Sequence, residues 1–186
     1  MEGVRPQYLL ALGLAIVVGA WIVLSNPHRE YSRQHFWEDA TVATVAEVPD
    51  EALEPGNRNG PVVMWAAMST DDPLIVQRLV ERGADINEID GVFKGTPLSA
   101  VAAHGAHPHM LDALVELGAD VRVRLHEDRT ALMNAAAFNE NPGIAARLIE
   151  LGVDPHAVDA DGRTALDLAR EFDNDVVAAE IERAIR

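Results

Sequence analysis

The chain contains no cysteine. Disulfides, thiolate nucleophiles and cysteine-ligated metals are therefore excluded. Lysine is nearly missing too: Lys94 is the only one, and the other basic residues are arginine. Positive charge is scarce overall, with 15 Lys plus Arg against 30 Asp plus Glu and a formal net charge of -15. So acidic a surface repels phosphate backbones, which argues against a nucleic-acid partner. It suits solubility, or a basic partner. Catalytic signatures are missing as well. There is no Gly-rich phosphate loop, no nucleophile elbow and no catalytic His/Glu helix motif. No carboxylate stands in a context that would perturb its pKa. The sequence therefore predicts no catalytic residue and no cofactor.

Only one long hydrophobic run is present. Tyr8 to Leu24 is free of charge for 17 residues. As a helix it spans roughly 26 Å, near the lower limit for crossing a bilayer core. Tyr8 and Trp21 suit the interfacial zones, and Pro27 helps to end the helix. Residues 1–7 read as a short tail, 8–25 as a transmembrane anchor and 26–35 as a polar linker. A cleaved leader is the competing reading, because Val18-Gly19-Ala20 has small residues suited to a cleavage site. Cutting there would leave Trp-Ile-Val-Leu as an apolar stub, which favours the uncleaved anchor. Arg29 and Arg33 beyond the run lean the domain towards the cytoplasm. A short tail before one apolar segment acts instead as an export signal. The expected placement is single-pass in a bacterial inner membrane, with the domain on the periplasmic side.

The rest of the chain repeats itself. Gly83-Ala84-Asp85 returns as Gly118-Ala119-Asp120 and as Gly152-Val153-Asp154, at intervals of 35 and 34 residues. Thr96-Pro97-Leu98, Thr130-Ala131-Leu132 and Thr164-Ala165-Leu166 keep a spacing of 34. Two markers in phase predict stacked supersecondary units rather than one globular core. Each unit carries two short helical stretches. The first has small residues at packing positions, such as Ala66, Ala67, Ala135 and Ala136. The second has larger aliphatics at helical spacing, such as Ile75, Val76 and Leu79. Asp72-Pro73, His107-Pro108 and Asn141-Pro142 open the second helices. A glycine follows each of them, where a left-handed residue is wanted. Ala40–Val48 reads as one helix of an N-terminal half-unit and Pro49–Leu53 as a shortened second.

These motifs resemble the ankyrin-repeat family, whose unit is a turn and two helices with a T-P-L-H-x-A signature. Thr96-Pro97-Leu98 matches it directly, and Thr130-Ala131-Leu132 with Ala135 follows closely. The resemblance covers roughly residues 36–186. It implies an all-α ankyrin-repeat solenoid behind an N-terminal transmembrane helix. A half-repeat cap would occupy 36–58, and repeats 59–90, 91–125, 126–160 and 161–186, the last including the C-terminal cap. The chain departs from the pattern at the family His, which is replaced by Ser99, Met133 and Asp167. That loses the hydrogen bond that ties the turn. Each complete unit also has one extra residue between its helices, and Pro61-Val62-Val63 stands for Thr-Pro-Leu in the first.

In this family partners contact the hairpin tips and the concave face lined by the first helices. Carried over unit by unit, the implied protein-binding residues are Val92 and Phe93, His126 and Glu127, and Ala160 and Asp161 at the tips. At the first-helix ends they are Met68, His104 and Phe138. Phe93 and Phe138 are the expected anchors, since aromatic residues dominate interfaces. The partner expected is another protein, and a membrane protein complex suits the anchor. His104, His107 and His109 offer a rival reading as a metal-binding or stress-protective cluster. Pro108 breaks their helical spacing, so no metal site is expected. Asp159-Ala160-Asp161-Gly162 has a calcium-loop flavour, but the remaining ligands are missing.

Overall fold

A computed structural model describes residues 34–56, 61–91 and 94–186. Among them there are helices and turns but no strand. The 8–25 run lies outside the described residues. No helix within them is long and apolar enough to cross a membrane.

Among the described residues eleven α-helices follow one another: α1 Gln34–Glu38, α2 Val42–Val45, α3 Asp50–Leu53, α4 Val62–Ser69, α5 Pro73–Glu81, α6 Pro97–His104, α7 Pro108–Glu116, α8 Ala131–Phe138, α9 Pro142–Glu150, α10 Ala165–Glu171 and α11 Asp175–Ala184. They stack in two layers. Helices α1, α4, α6, α8 and α10 pack in sequence as one layer, and α2, α5, α7, α9 and α11 as the other.

The N-terminal cap differs from the sequence reading. In place of one helix over 40–48, α1 and α2 form a short pair, with α1 against α4 and α2 against α5. Helix α1 starts at Gln34, inside the stretch read as linker. The driving force is Trp37, which is fully buried, and an aromatic ring can cover the open end of an apolar stack. Arg82 holds the cap down by donating to the Val45 carbonyl and to Asp50.

Thr96, Thr130 and Thr164 each cap a first helix, accepting from the amide three residues on. Here the structure corrects the expectation of a lost tie. Ser99 Oγ accepts from the Thr96 amide at 2.9 Å, and Asp167 Oδ2 from the Thr164 amide at 2.9 Å. Both are capping boxes. Met133 offers its sulfur to the Thr130 amide at 3.3 Å, a weaker acceptor. Asp72 and Asn141 cap the second helices as expected, while the His107 side chain makes no cap bond. The glycines after α5, α7 and α9 have φ of 104°, 98° and 94°. Their backbone lets Ala84, Ala119 and Val153 amides turn back to the carbonyls of Leu79, Leu114 and Leu148.

The uneven 35-residue interval has a local cause. The Leu125 amide closes its hairpin on the Arg129 carbonyl, and the Asp159 amide on Arg163. The Asp90 amide reaches Gly95, one residue further. The extra residue sits in that tip.

Within the first-helix layer the seam is narrow. Ala66, Ala67, Val101, Ala102, Ala135, Ala136 and Ala169 are all at or below 2% exposure. At the end of the array the equivalent of Ala136 is Arg170, which is exposed and paired with Glu182 at 2.6 Å. Among the described residues no further unit covers that face. Ala135→Leu should therefore overpack the α6–α8–α10 seam and cost about 1–3 kcal/mol. A thermal melt checks this, and a variant melting with the parent would refute the seam.

Candidate functional site

A fixed cap and nearly equal helix lengths bring the ends of successive first helices into line. His104, Phe138 and Phe172 each follow their capping Thr by eight residues. The Phe138 ring lies 6.2 Å from His104 and 5.7 Å from Phe172, centroid to centroid. Phe138 is 50% exposed and Phe172 46%. The row is thus an aromatic edge that no neighbouring unit covers. The sequence reading found His104 and Phe138 but missed Phe172, although the eight-residue offset from Thr164 was there to be read. It also paired Met68 with them. By register the counterpart is Ser69, and Met68 matches the buried Ala103 and Ala137.

Alongside this edge runs a groove of ≈ 720 Å³, bounded by first helices on one side and hairpins on the other. It brings together Met68, His104, His126, Glu127 and Phe138. Ala160 and Asp161 are exposed at the next tip and do not line it. The Ala160 amide donates to the Glu127 carbonyl at 2.9 Å, so the two tips are tied. Val92 and Phe93 lie outside the described residues; Lys94 and Gly95, next to them, line the groove. Trp65, Ala100 and Asn134 also line it, each four residues past its cap. That period was legible, but the fact that this helix face borders open space was not.

The groove's polar groups are few. Ser99 Oγ donates to the Thr96 carbonyl at 3.0 Å while accepting from the Thr96 amide. Its hydroxyl is engaged by the helix cap and faces no general base. Lys94 is exposed and makes no ion pair among the described residues. Arg129 is largely enclosed, with 19% of its side chain exposed, and its Nε has no hydrogen-bond acceptor. The Glu127 carboxylate stands 3.8 Å from that nitrogen, beyond hydrogen-bond length. Glu127 and Asp128 both have left-handed backbones, φ 61° and 57°. The next hairpin uses Gly162, φ 80°, where this one has Asp128. Side chains are disfavoured in that region, so the tip that carries His126 and Glu127 is strained.

The histidines do not converge. His104 lies beside Phe138, and His109 Nε2 is 3.0 Å from the Asp71 carbonyl. His107 and His109 rings are 5.5 Å apart. Among the described residues no three His, Cys, Asp or Glu side chains are arranged to hold a metal ion.

Asp159 does structural work at the third hairpin. Its side chain is 1% exposed. It accepts from the Asp161 amide at 3.0 Å, the Arg163 amide at 2.9 Å and Arg163 Nε at 3.0 Å. Burial pushes its carboxyl up, but the hydrogen bonds from Arg163 and Asp161 and the Arg163 charge together outweigh this and hold it below the usual aspartate range. The calcium-like DADG run is therefore a turn closed by its own carboxylate.

Comparison with known proteins places this geometry. The family described as "Ankyrin repeats (3 copies)" matches residues 63–159 and 101–179. "Ankyrin repeat and SOCS box protein 6" of Mus musculus is 32% identical over 83 residues, covering 42% of this chain and 20% of that protein. The proteins of the same description from Pongo abelii and Homo sapiens are 32% and 31% identical over the same length. The match spans about a fifth of the length of these curated relatives.

The low Asp159 value has a pH consequence. A carboxylate whose folded pKa is depressed stabilises the fold above its unfolded pKa, and that contribution is lost as pH falls through the folded value. Asp159→Asn should be less stable than the parent near neutrality, and the difference should shrink below about pH 4. Denaturant melts at about pH 7 and about pH 3 measure it; a gap independent of pH would count against the assignment.

Proposed function

Because the chain belongs to the ankyrin-repeat family, we propose that it is a tethered scaffold that docks a partner protein in the groove beneath Phe138. Ankyrin repeats bind other proteins and are generally non-enzymatic scaffolds. The observation that carries the finer reading is the half-exposed aromatic edge bordering an open groove. Exposed apolar rims of this kind mark interaction surfaces. An aromatic ring there removes a large apolar area from water at little rotamer cost.

Two variants separate binding from folding. Phe138→Ala should melt close to the parent, because the ring lies outside the alanine seam. Its affinity for a partner captured by photo-crosslinking at the groove should fall by about 2 kcal/mol if the ring is a hot spot. Loss of stability with unchanged affinity would assign Phe138 to packing instead.

The tether is the 8–25 run, and we place the repeats on the periplasmic side of a bacterial inner membrane. Its support is an uncharged stretch long enough to span, followed by Pro27. The intact chain should remain in the membrane fraction after alkaline extraction and keep its full mass. A cleaved leader would lower the mass by about 2 kDa, from the usual residue composition, and release the domain.

A further inference from the structure

We propose that the groove selects an acidic segment of its partner, seating a carboxylate on Arg129 and Lys94 and an apolar side chain on Phe138. The inference rests on the reading that this groove is the docking surface. Across the whole chain acids outnumber bases two to one. Within the groove the order is reversed: Lys94 and Arg129 are basic residues, and Glu127 is the one carboxylate among the lining residues. The chain's only lysine is placed there, exposed and without an ion pair among the described residues.

Arg129 adds the sharper argument. Its buried Nε–H lacks an acceptor. A buried donor left unpaired is costly, and folded proteins rarely keep one without a reason. Glu127, held on a strained backbone, approaches it but stops at 3.8 Å. That nitrogen is closed to solvent, so an incoming carboxylate would sit on the open part of the side chain, 19% exposed, and draw on the rest of the guanidinium fork. A basic segment would meet Lys94 and Arg129 at close range and be repelled. The apolar requirement follows from the other wall, where Trp65, Met68 and Phe138 line the groove. The acidic net charge of the chain suggested a basic partner; the local arrangement points to the opposite.

The test uses the full-length chain as bait for a phage-displayed library of random twelve-residue peptides. Enriched clones should combine Asp or Glu with Leu, Phe or Trp. Fluorescence anisotropy on synthetic copies should show about tenfold weaker binding to Arg129→Gln and to Lys94→Gln. Replacing the peptide carboxylates by amides should cost the parent the same factor and the variants much less. Lys94 is exposed, so Lys94→Gln carries the test even if Arg129→Gln fails to fold. Acidic clones indifferent to both variants would overturn the proposal. Basic clones that lose affinity on Phe138→Ala would overturn it while leaving the groove reading intact. Clones unaffected by Phe138→Ala would remove the groove reading as well.

Discussion

Everything in this molecule depends on how closely the first helices can approach one another. A single unit has too little apolar surface to bury against itself, so it is stable only when stacked on a neighbour. Alanine at the seam positions permits that approach: Ala66 and Ala67, Ala102, Ala135 and Ala136, and Ala169 leave backbone against backbone. Larger side chains fill both layers: Met64, Leu98, Leu132 and Met133 on first helices, and Ile75, Leu79, Met110, Leu114, Ile144 and Leu148 on second helices, are fully buried. Once the seam is closed, the ends of the first helices have no choice but to form a row.

Polar side chains fix the spacing that the seam allows. Asn139 is buried and donates to the Ala102 and Gly105 carbonyls of the preceding unit, both at 3.0 Å. Asn174 repeats the arrangement one unit on, donating to the Ala136 and Asn139 carbonyls. Asn87 joins units near the glycine turns, giving to the Gly118 carbonyl and accepting from the Asp120 amide. Arg124 bridges its own hairpin to the Val158 carbonyl of the next. These bonds satisfy backbone groups that helix ends leave free. Being directional, they set register in a way apolar contact cannot.

That rigidity is what gives the groove its chemistry. A row of aromatic rings is useful for recognition only if the opposite wall stays at a constant distance, and the tied hairpins hold it there. The strained Glu127–Asp128 tip and the unpaired Arg129 Nε belong to this wall. The fold tolerates both because the stacked layers beneath them are well packed. Local conflict of this kind is common where a surface is shaped for a partner rather than for its own stability.

By itself the sequence determined the repeat, its phase and the small residues at the packing positions of the first helices. Those features are local: Thr caps, Pro starts, Gly stops and a helical apolar period are all written within one unit. The capping-box role of Ser99 and Asp167 was equally local, since a hydroxyl or carboxylate three residues past the Thr can accept from its amide. Tertiary structure alone decided the rest. Trp37 drew the cap into a helix pair because only stacking exposes or covers that end. Asn139, Arg129 and Lys94 gained their meaning from groups about one repeat away, whose positions no single unit records. Phe138 became an edge because the seam lines it up with His104 and Phe172. The groove, with a charge opposite to that of the chain, exists only where successive units face the same space.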